Sequence, residues 1–410
     1  MLVEFLDGQK VQPTKLMLEP RSLRCPLTMK VLIIGTAFPL RGGIAHYVSL
    51  LYRALEKRGH SVGIISFSRQ YPKFLFPGKS QDESSETEIP LSSEPVIDSI
   101  NPATWIKAGR IAAKQKPDLL IFKFWLPFFA PAYGVIARVA KRLTRKQGNP
   151  CKVIFIADNV IPHEKRPADL AFTKFAFRAV DYFIVQSDSV ERDLMKVAPT
   201  SKYVKLAHPI YEIFGERMDR VEARAALGIP NDAPAILFFG FIRKYKGLDI
   251  ILRAMPSMLK ELPELRLIVA GEYYTDKDEY IVLIKELGIP AKNLILATDY
   301  IANEEVAKYF SAANVTVLPY RSATQSGIVQ IAYNFDTPVI ATNVGGLPEV
   351  VIHEKSGLII DEATPEAVAA GVLRFFNEGM ETRLTAGVIE EKKKYSWETF
   401  VEGIEKLVTT

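Results

Sequence analysis

The sequence predicts an α/β fold built from two doubly wound domains. Short runs of apolar residues recur along the chain, and amphipathic helical patterns separate them. Continuous apolar runs are typical of parallel strands whose two faces are both covered by helices. The pattern occurs twice in succession, and a chain of 410 residues has room for two or three domains at roughly 150 residues each.

The first series begins with the apolar run at 30–35. A helical pattern follows over 45–57, and Gly59 ends it. The segment 81–99 is rich in Ser, Glu and Pro, and we expect it to be a mobile loop. Further strands of this series are predicted at 62–67, 119–122, 153–156 and 182–186.

The second series begins with a strand at 236–240 and a helix at 248–261. Its later strands are predicted at 265–270, 294–296, 315–318, 339–341 and 357–360. The segment 208–216 lies between the two series and suits a linker. We therefore expect an N-terminal extension over 1–28, a first domain over 29–210, a second domain over 211–390, and a C-terminal helix over 391–410 that packs back on the first domain. A ligand should bind in the cleft between the carboxyl ends of the two sheets.

Charge is divided unevenly between the two predicted domains. Residues 29–210 contain 27 Lys and Arg against 15 Asp and Glu, whereas residues 211–410 contain 21 against 29. This division disfavours a nucleic-acid protein that is basic throughout, and it suits a first domain that meets an anionic partner. Cys25 and Cys151 cannot form a disulfide framework, and no metal site is expected from five scattered histidines. Residues 1–28 lack a secretory pattern, so we predict a cytoplasmic protein.

Two loops after predicted strands contain residues suited to phosphate binding. The Gly42-Gly43 pair would let backbone N–H groups approach a phosphate or a sugar at a helix N-terminus, although such a pair can also be a simple turn. Arg243, Lys244 and Lys246 crowd together directly after the strand at 236–240. Their mutual repulsion would be relieved by a shared anion such as a diphosphate. The alternative is a solvated basic loop.

A third loop begins the helix at Ser326-Gly327 with small and polar residues. A helix start of this kind offers free N–H donors to an oxyanion. The strand at 339–341 follows, and after it comes the segment Gly345-Gly346-Leu347-Pro348-Glu349. A strand that leads into Gly-Gly-x-Pro-Glu is a highly particular arrangement.

Together these motifs resemble the retaining glycosyltransferases of family 4, and the resemblance covers nearly the whole chain. It implies the GT-B fold, in which two Rossmann-like domains face each other across a cleft. By this resemblance Lys246 should bind the diphosphate of a nucleotide-sugar donor. Ser326 and Gly327 should face the phosphate and the sugar, and the Gly42-Gly43 loop should cap the donor from the other domain.

The chain departs from the family pattern at two places. Many members have an arginine directly after the glycine at position 240, where this chain has Phe241, and Arg243 is the best substitute. Most members also have two glutamates in the third loop, one of which grips the nucleotide ribose. No acidic residue occurs in this chain from 319 to 335. We expect an amide to contact the ribose instead, and we assign that role to Gln330, with Gln325 as the other long polar side chain nearby.

The resemblance also suggests catalytic and nucleotide-contacting residues. The family often has a histidine near the reacting sugar carbon, directly after the strand at 153–156. Here that place is Asp158, with His163 five residues further on, and we name both as catalytic candidates. His163 could equally be a structural residue at a helix N-terminus. Tyr300 and Ile301 resemble positions that sandwich the base, and Glu272 is expected to line the nucleotide site.

The predicted function is transfer of a hexose from a nucleoside-diphosphate sugar to a hydroxyl of a glycan or lipid-linked acceptor. The resemblance implies retention of configuration, a role in polysaccharide or glycoconjugate assembly, and no need for a metal or other cofactor. One alternative is a nucleotide-sugar epimerase of the same architecture. Another is a nucleotide-sugar-binding protein without catalysis, which the missing glutamates make conceivable. We expect no nucleic-acid partner.

A basic helical pattern at 132–147 raises the question of membrane contact. Aromatic residues precede it at Trp125, Phe128 and Phe129. Such a helix could rest on the anionic inner face of the cell membrane, whereas the alternative is a solvated helix face that covers the sheet. Its cations are Arg138, Lys141, Arg142, Arg145 and Lys146.

Overall fold

The computed structural model describes residues 14–16, 28–40, 42–72, 91, 93–161 and 166–409. The strands are β1 (Thr14–Lys15), β2 (Lys30–Ile34), β3 (Ser61–Arg69), β4 (Ser93–Asp98), β5 (Leu119–Phe124), β6 (Lys152–Ala157), β7 (Tyr182–Val185), β8 (Lys202–Lys205), β9 (Ala235–Phe239), β10 (Arg266–Ala270), β11 (Leu294–Ala297), β12 (Val315–Leu318), β13 (Val339–Thr342) and β14 (Gly357–Ile360). The helices are α1 (Gly43–Lys57), α2 (Pro102–Lys114), α3 (Ala130–Lys146), α4 (Asp169–Phe177), α5 (Asp188–Val197), α6 (Arg220–Ala226), α7 (Leu248–Glu261), α8 (Lys277–Glu286), α9 (Asn303–Ala312), α10 (Gly327–Asn334), α11 (Leu347–Val350), α12 (Pro365–Asn377), α13 (Glu381–Glu391) and α14 (Trp397–Thr409).

The N-terminal unit is built on a parallel sheet of eight strands in the order β1-β8-β7-β6-β5-β2-β3-β4. Every residue of β5 and β7 is buried, as expected for parallel strands that helices cover on both faces. The predicted N-terminal extension contributes β1, which pairs with β8 at the sheet edge.

One sequence expectation in this unit is wrong. Residues 93–98 lie within the segment 81–99 that we expected to be a mobile loop, but they form β4 and pair with β3. Ile97 is fully buried, and Asp98 forms an ion pair with Arg69 of β3. Pro95 is tolerated because β4 lies at the edge of the sheet, where a missing backbone N–H need not break a ladder. Polar composition therefore concealed an edge strand.

The C-terminal unit is built on a parallel sheet of six strands in the order β11-β10-β9-β12-β13-β14. Its central strands are buried along their whole length. The prediction of an α/β fold with two parallel sheets is thus confirmed.

The last helix joins the two units. Helix α14 packs against α1, and Arg58 at the end of α1 donates hydrogen bonds to Glu405 of α14. Trp397 donates from its indole N–H to the carbonyl oxygen of Ile210, at 2.9 Å. The exact domain boundaries stay predictions. None of the helices formed by the described residues is long and apolar enough to cross a membrane.

Candidate active site

A cavity of about 220 Å³ lies between the two units, against the carboxyl ends of β9 and β10. Ligands of open parallel sheets bind at this edge of the strands. The cavity therefore lies where the fold predicts a binding site. Its lining consists of Gly42, Gly43, His46, Tyr211, Phe214, Phe239, Gly240, Phe241, Lys246, Gly271, Glu272, Tyr300, Ile301, Asn303, Val306, Gly327, Ile328 and Ile331.

A larger depression of about 620 Å³ lies elsewhere on the N-terminal unit. Its lining includes Lys152, Tyr182 and Lys202, which stand at the amino ends of β6, β7 and β8. That is the edge of a parallel sheet opposite to the one at which ligands bind. We therefore take the interdomain cavity as the candidate site.

Two helices begin at this cavity, one from each unit. Gly42, with φ of 107°, precedes α1, and Ser326 precedes α10 and accepts a hydrogen bond on its hydroxyl from the N–H of Ile328 at 3.2 Å. Neither helix has an acidic residue in its first turn. Because a helix N-terminus carries partial positive charge and free N–H donors, both helix starts suit an anion.

Tyr211 connects the two helix starts. Its hydroxyl donates a hydrogen bond to the carbonyl oxygen of Gly43 at 3.2 Å. A Cβ added to Gly327 would lie 3.1 Å from the Tyr211 ring, so a larger residue would crowd that contact. The absence of a side chain at Gly327 thus lets the tyrosine pack against the first residue of α10.

Lys246 provides a buried cation at the cavity wall. The residue is 8% exposed, and no carboxylate among the described residues lies within ion-pair distance of its ammonium. Gly240 has φ of 93°, and a Cβ there would stand 3.2 Å from the Lys246 Nζ. Burial, together with repulsion from Arg243, lowers the pKa of Lys246 to about 7. A buried cation without a carboxylate partner indicates a site for an anion.

The two other cations of this loop lie outside the cavity lining. Arg243 is exposed, and its guanidinium lies 5.0 Å from the centre of the Tyr274 ring. Its positive charge nevertheless helps to lower the pKa of Lys246, so Arg243 lies close enough to act on the same part of the cavity electrostatically. Lys244 is exposed and pairs with Glu279 at 3.3 Å.

The residues predicted to contact the nucleotide differ in whether they reach the cavity. Glu272, Tyr300 and Ile301 all face the cavity. Gly271, with φ of 141°, lets the chain pass close to β9, because a Cβ there would stand 2.4 Å from the carbonyl oxygen of Gly240. Gln330 is 1% exposed and is not part of the cavity lining. The structure thus places Gln330, the predicted ribose contact, on a face of α10 that is buried inside the protein and not at the cavity wall.

Asp158 lies in a buried polar network next to the cavity. Its Oδ1 accepts hydrogen bonds from Lys123 Nζ at 2.6 Å and from Gln325 Nε2 at 3.0 Å. The Lys123 ammonium also donates to Gln186 Oε1 at 3.2 Å and lies 3.5 Å from the centre of the Tyr47 ring. Gln325 belongs to the loop before α10, so this network joins the two units.

Burial acts on both charges of this pair. It raises the pKa of the Asp158 carboxyl and lowers the pKa of the Lys123 ammonium, while the attraction between them opposes both shifts. With an oxygen to nitrogen distance of 2.6 Å, each group is the main partner that keeps the other charged. The Asp158 carboxyl is therefore held in place through its Oδ1, and its Oδ2 accepts no hydrogen bond from the described residues.

His208 is a buried ring close to this polar network. Burial lowers the pKa of His208 to about 3, with repulsion from Lys123 as a second cause, so this ring is neutral at physiological pH. It packs edge-on against Tyr47. His163, which we named as a catalytic candidate, lies outside the described residues.

Two residues that build this region were not predicted from the sequence. Tyr211 lies in the predicted linker, and Lys123 lies inside a strand that reads as apolar. A lysine within an otherwise apolar run was a signal that could have suggested a buried ion pair. Within the described ranges, no group of three or more His, Cys, Asp or Glu residues could hold a metal ion.

Comparison with known proteins identifies the family. The sequence profile described as "Glycosyltransferase Family 4" matches residues 41–204, and the profile described as "Glycosyl transferases group 1" matches residues 219–395. The two matches follow one another along the chain and cover one unit each. The chain belongs to glycosyltransferase family 4. This glycosyltransferase therefore has its two family regions on opposite sides of the cavity.

Curated relatives of this glycosyltransferase include two named D-inositol 3-phosphate glycosyltransferase. The protein from Acidothermus cellulolyticus is 27% identical over 395 residues, which cover 88% of this chain and 84% of that one. The protein from a Nocardioides species is 31% identical over 236 residues, which cover 54% of this chain and only 51% of the relative's length.

Solved structures agree on the fold. Anabaena HepE in complex with UDP superposes with a TM-score of 0.69 at 16% identity, covering 93% of this chain and all of that one. At this level of identity the likeness establishes the fold, which is GT-B.

Proposed function

We propose that this glycosyltransferase moves a sugar from a nucleoside-diphosphate donor to a hydroxyl group of an anionic acceptor, with retention of configuration and without a metal. The observation that carries the proposal is the buried Lys246 ammonium at a cavity toward which α1 and α10 both direct their N-termini. A diphosphate would satisfy all three positive groups at once. Tyr300 and Ile301 would hold the base, and Glu272, which lines the same cavity, would contact the nucleotide.

The same groups would promote the reaction. As the bond between the sugar's anomeric carbon and the diphosphate oxygen breaks, negative charge grows on the diphosphate. Lys246, with the backbone N–H groups at Gly43 and Gly327, would stabilise that charge in place, because these donors are already oriented. The acceptor oxygen forms the new bond to the anomeric carbon, and its proton leaves with the diphosphate. The fixed Asp158 carboxylate would orient the acceptor or the sugar from the N-terminal unit.

The acceptor is proposed from charge and from the relatives. The N-terminal unit, with its excess of Lys and Arg, suits an anionic acceptor. The relatives named above act, by their names, on D-inositol 3-phosphate, which is a phosphorylated polyol. A phosphorylated polyol or a lipid-linked glycan phosphate would satisfy the same charge, and the polysaccharide role that the sequence suggested belongs to the second case.

Product analysis tests this function. The purified protein is incubated with UDP-, GDP- and ADP-sugars, with inositol 3-phosphate or inositol as acceptor, in EDTA. We expect glycosylation of inositol 3-phosphate but not of inositol, release of the nucleoside diphosphate from one donor class, and an anomeric NMR coupling constant in the product that matches the donor. Epimerised free sugar with UDP, or tight binding without any turnover, would instead support the epimerase or the binding protein.

Peripheral membrane contact is proposed for the cationic end of α3. Arg142, Arg145 and Lys146 are exposed there. Of the aromatic residues before the helix, Phe129 is not available as an anchor, because it is fully buried and packs against Trp125 with ring centres 4.7 Å apart. Salt-sensitive flotation with phosphatidylserine vesicles, but not with phosphatidylcholine vesicles, would support contact through charge. Equal flotation with both would contradict it.

A further inference from the structure

Glu349, the last residue of the Gly-Gly-x-Pro-Glu segment, contacts the N-terminal unit rather than the cavity. Its carboxylate oxygens accept the backbone N–H of Asp188 at 2.8 and 3.1 Å, and its Oε2 lies 2.8 Å from Lys205 Nζ. Asp188 is the first residue of α5, and its N–H has no acceptor within that helix. A carboxylate from one unit thus caps a helix of the other unit, at the helix end where negative charge is favourable.

The same end of α5 also contacts the loop that precedes α10, which we call the donor loop (residues 322–327). Ser189 donates from its hydroxyl to the carbonyl oxygen of Thr324 at 3.2 Å. That carbonyl oxygen also accepts the N–H of Gly346 at 2.9 Å. The Thr324 hydroxyl donates to Asn159 Oδ1 at 2.6 Å. Thr324 therefore fastens the donor loop both to the N-terminal unit and to the segment 345–349 that ends in Glu349, in addition to the hydrogen bond of Gln325 with Asp158.

The two glycines before Glu349 make this packing possible. A Cβ added to Gly345 would lie 1.6 Å from the carbonyl oxygen of Ala323, and one added to Gly346 would lie 2.8 Å from the Cβ of Ser187. Both distances are shorter than real Cβ contacts. The two glycines therefore pack directly against the backbone of the donor loop and against Ser187, the residue before α5, so a shift of one must move the others.

We propose that Glu349 is a positioning residue that couples donor binding to closure of the two units. By capping α5 it holds the donor loop in the orientation in which Gly327, the first residue of α10, faces the cavity. When the units separate, these contacts break and the start of α10 loses its fixed place. This inference rests on the proposed donor site, since it assigns a consequence for binding there.

The charges around Glu349 predict different effects for the loss of Glu349 and the loss of Lys205. Lys205 also forms an ion pair with Asp188. Although burial opposes it, pairing with Asp188 and Glu349 raises the pKa of Lys205, so the ammonium is shared between two carboxylates. Removing Glu349 leaves the Lys205 to Asp188 pair intact. Removing Lys205 instead leaves two carboxylates facing each other without a cation, which is unfavourable.

The first measurement is the distance between the units in the free protein. Single-molecule energy transfer is recorded between dyes on cysteines placed at exposed positions 107 and 286, with Cys25 replaced by serine and the buried Cys151 retained. We expect Glu349→Ala to shift the population toward longer distances. The matched control is Glu354→Gln, which breaks an ion pair with Arg374 inside the C-terminal unit. The control should leave the distribution unchanged.

The second measurement is calorimetric affinity for UDP, GDP and ADP. A population shift away from the closed state lowers the affinity in proportion to the lost closed fraction, and coupling of this type commonly gives a factor of about 5 to 150. We expect Glu349→Ala to weaken binding by roughly tenfold within that range. Glu349→Gln should weaken it less, because the amide oxygen still accepts the Asp188 N–H. The melting temperature should match that of Glu354→Gln.

Charge rescue separates positioning from simple loss of structure. Lys205→Met should weaken nucleotide binding, and the double variant Lys205→Met/Glu349→Gln should bind more tightly than Lys205→Met alone, because the facing carboxylates are gone. The proposal is overturned if Glu349→Ala equals Glu354→Gln in both distance and affinity, or if the double variant shows no recovery. If the wild-type protein binds none of the three nucleotides, the proposed function fails, and the distances alone decide the role of Glu349.

Discussion

The two sheet edges that face the cleft are built in different ways. At the edge of the C-terminal unit the backbone forms the site, since Gly240, Gly271 and Gly345 each have positive φ and the latter two approach a carbonyl oxygen so closely that a Cβ would clash. At the edge of the N-terminal unit side chains form it, through the buried pair of Lys123 and Asp158.

This difference would allow the proposed donor side to lack the acidic residues that the family resemblance led us to expect. Contacts offered by backbone N–H groups at α10 depend on the path of the chain rather than on any one side chain. On the opposite edge, by contrast, each buried charge depends on its partner. The free energy of unfolding should therefore be sensitive to added volume at the C-terminal edge and to lost charge at the N-terminal edge.

The largest effect is expected from Lys123→Met. This change leaves the Asp158 carboxylate buried beside Gln325 without its cation, and removing one partner of a buried pair costs about 3–5 kcal/mol. Urea denaturation followed by circular dichroism measures the free energy of unfolding. The double variant Lys123→Met/Asp158→Asn should lose clearly less. If the single and the double variant lost the same free energy of unfolding, charge would not be what holds the pair together, and the proposed difference between the two edges would be wrong.

A smaller loss of about 2–4 kcal/mol is expected from Gly345→Ala. The residue has φ of 56°, and its new Cβ would meet the Ala323 carbonyl oxygen, so strain and crowding add. Gly379→Ala is the matched control, because Gly379 has φ of 59° but no atom within 4 Å of the added Cβ. It should lose only about 1 kcal/mol. Equal losses at both positions would show that the close approach contributes nothing.

The smallest effect concerns pH and sharpens the description of the donor edge. Lys246 has a pKa lowered to about 7 in the free protein, and a bound diphosphate must raise it. Below pH 7 the ammonium is already charged, whereas above pH 7 binding must take up a proton. Nucleotide affinity should fall by up to about tenfold per pH unit from pH 7 to 9. Lys246→Met should remove this dependence, and a wild-type affinity that is flat over the range would contradict the assignment.

How far the site could be predicted differs between the two edges for the same reason. The donor edge is local in sequence, so the glycines, the Lys246 loop and the start of α10 at Gly327 could be identified from motifs. The hydrogen bond between Asp158 and Gln325 joins residues that are far apart in the chain. It could not be predicted from local motifs, because it depends on how the two units meet. Gln330 shows a further limit of prediction from sequence. Ile331, the next residue of α10, lines the cavity, whereas the Gln330 side chain points into the protein interior, and the sequence alone does not fix which residue of the helix faces the cavity.

Calorimetry with UDP, GDP and ADP in EDTA tests the central claim most directly. The wild-type protein should bind one of the three nucleotides without a metal. Lys244→Met, which removes an exposed cation two positions away, should bind as tightly as the wild type, because exposed ion pairs contribute little. Lys246→Met should bind about 10 to 150 times more weakly, as expected for one charge-assisted hydrogen bond of about 1.5–3 kcal/mol. Equal binding by the two variants, or binding only after Mg²⁺ is added, would contradict the account.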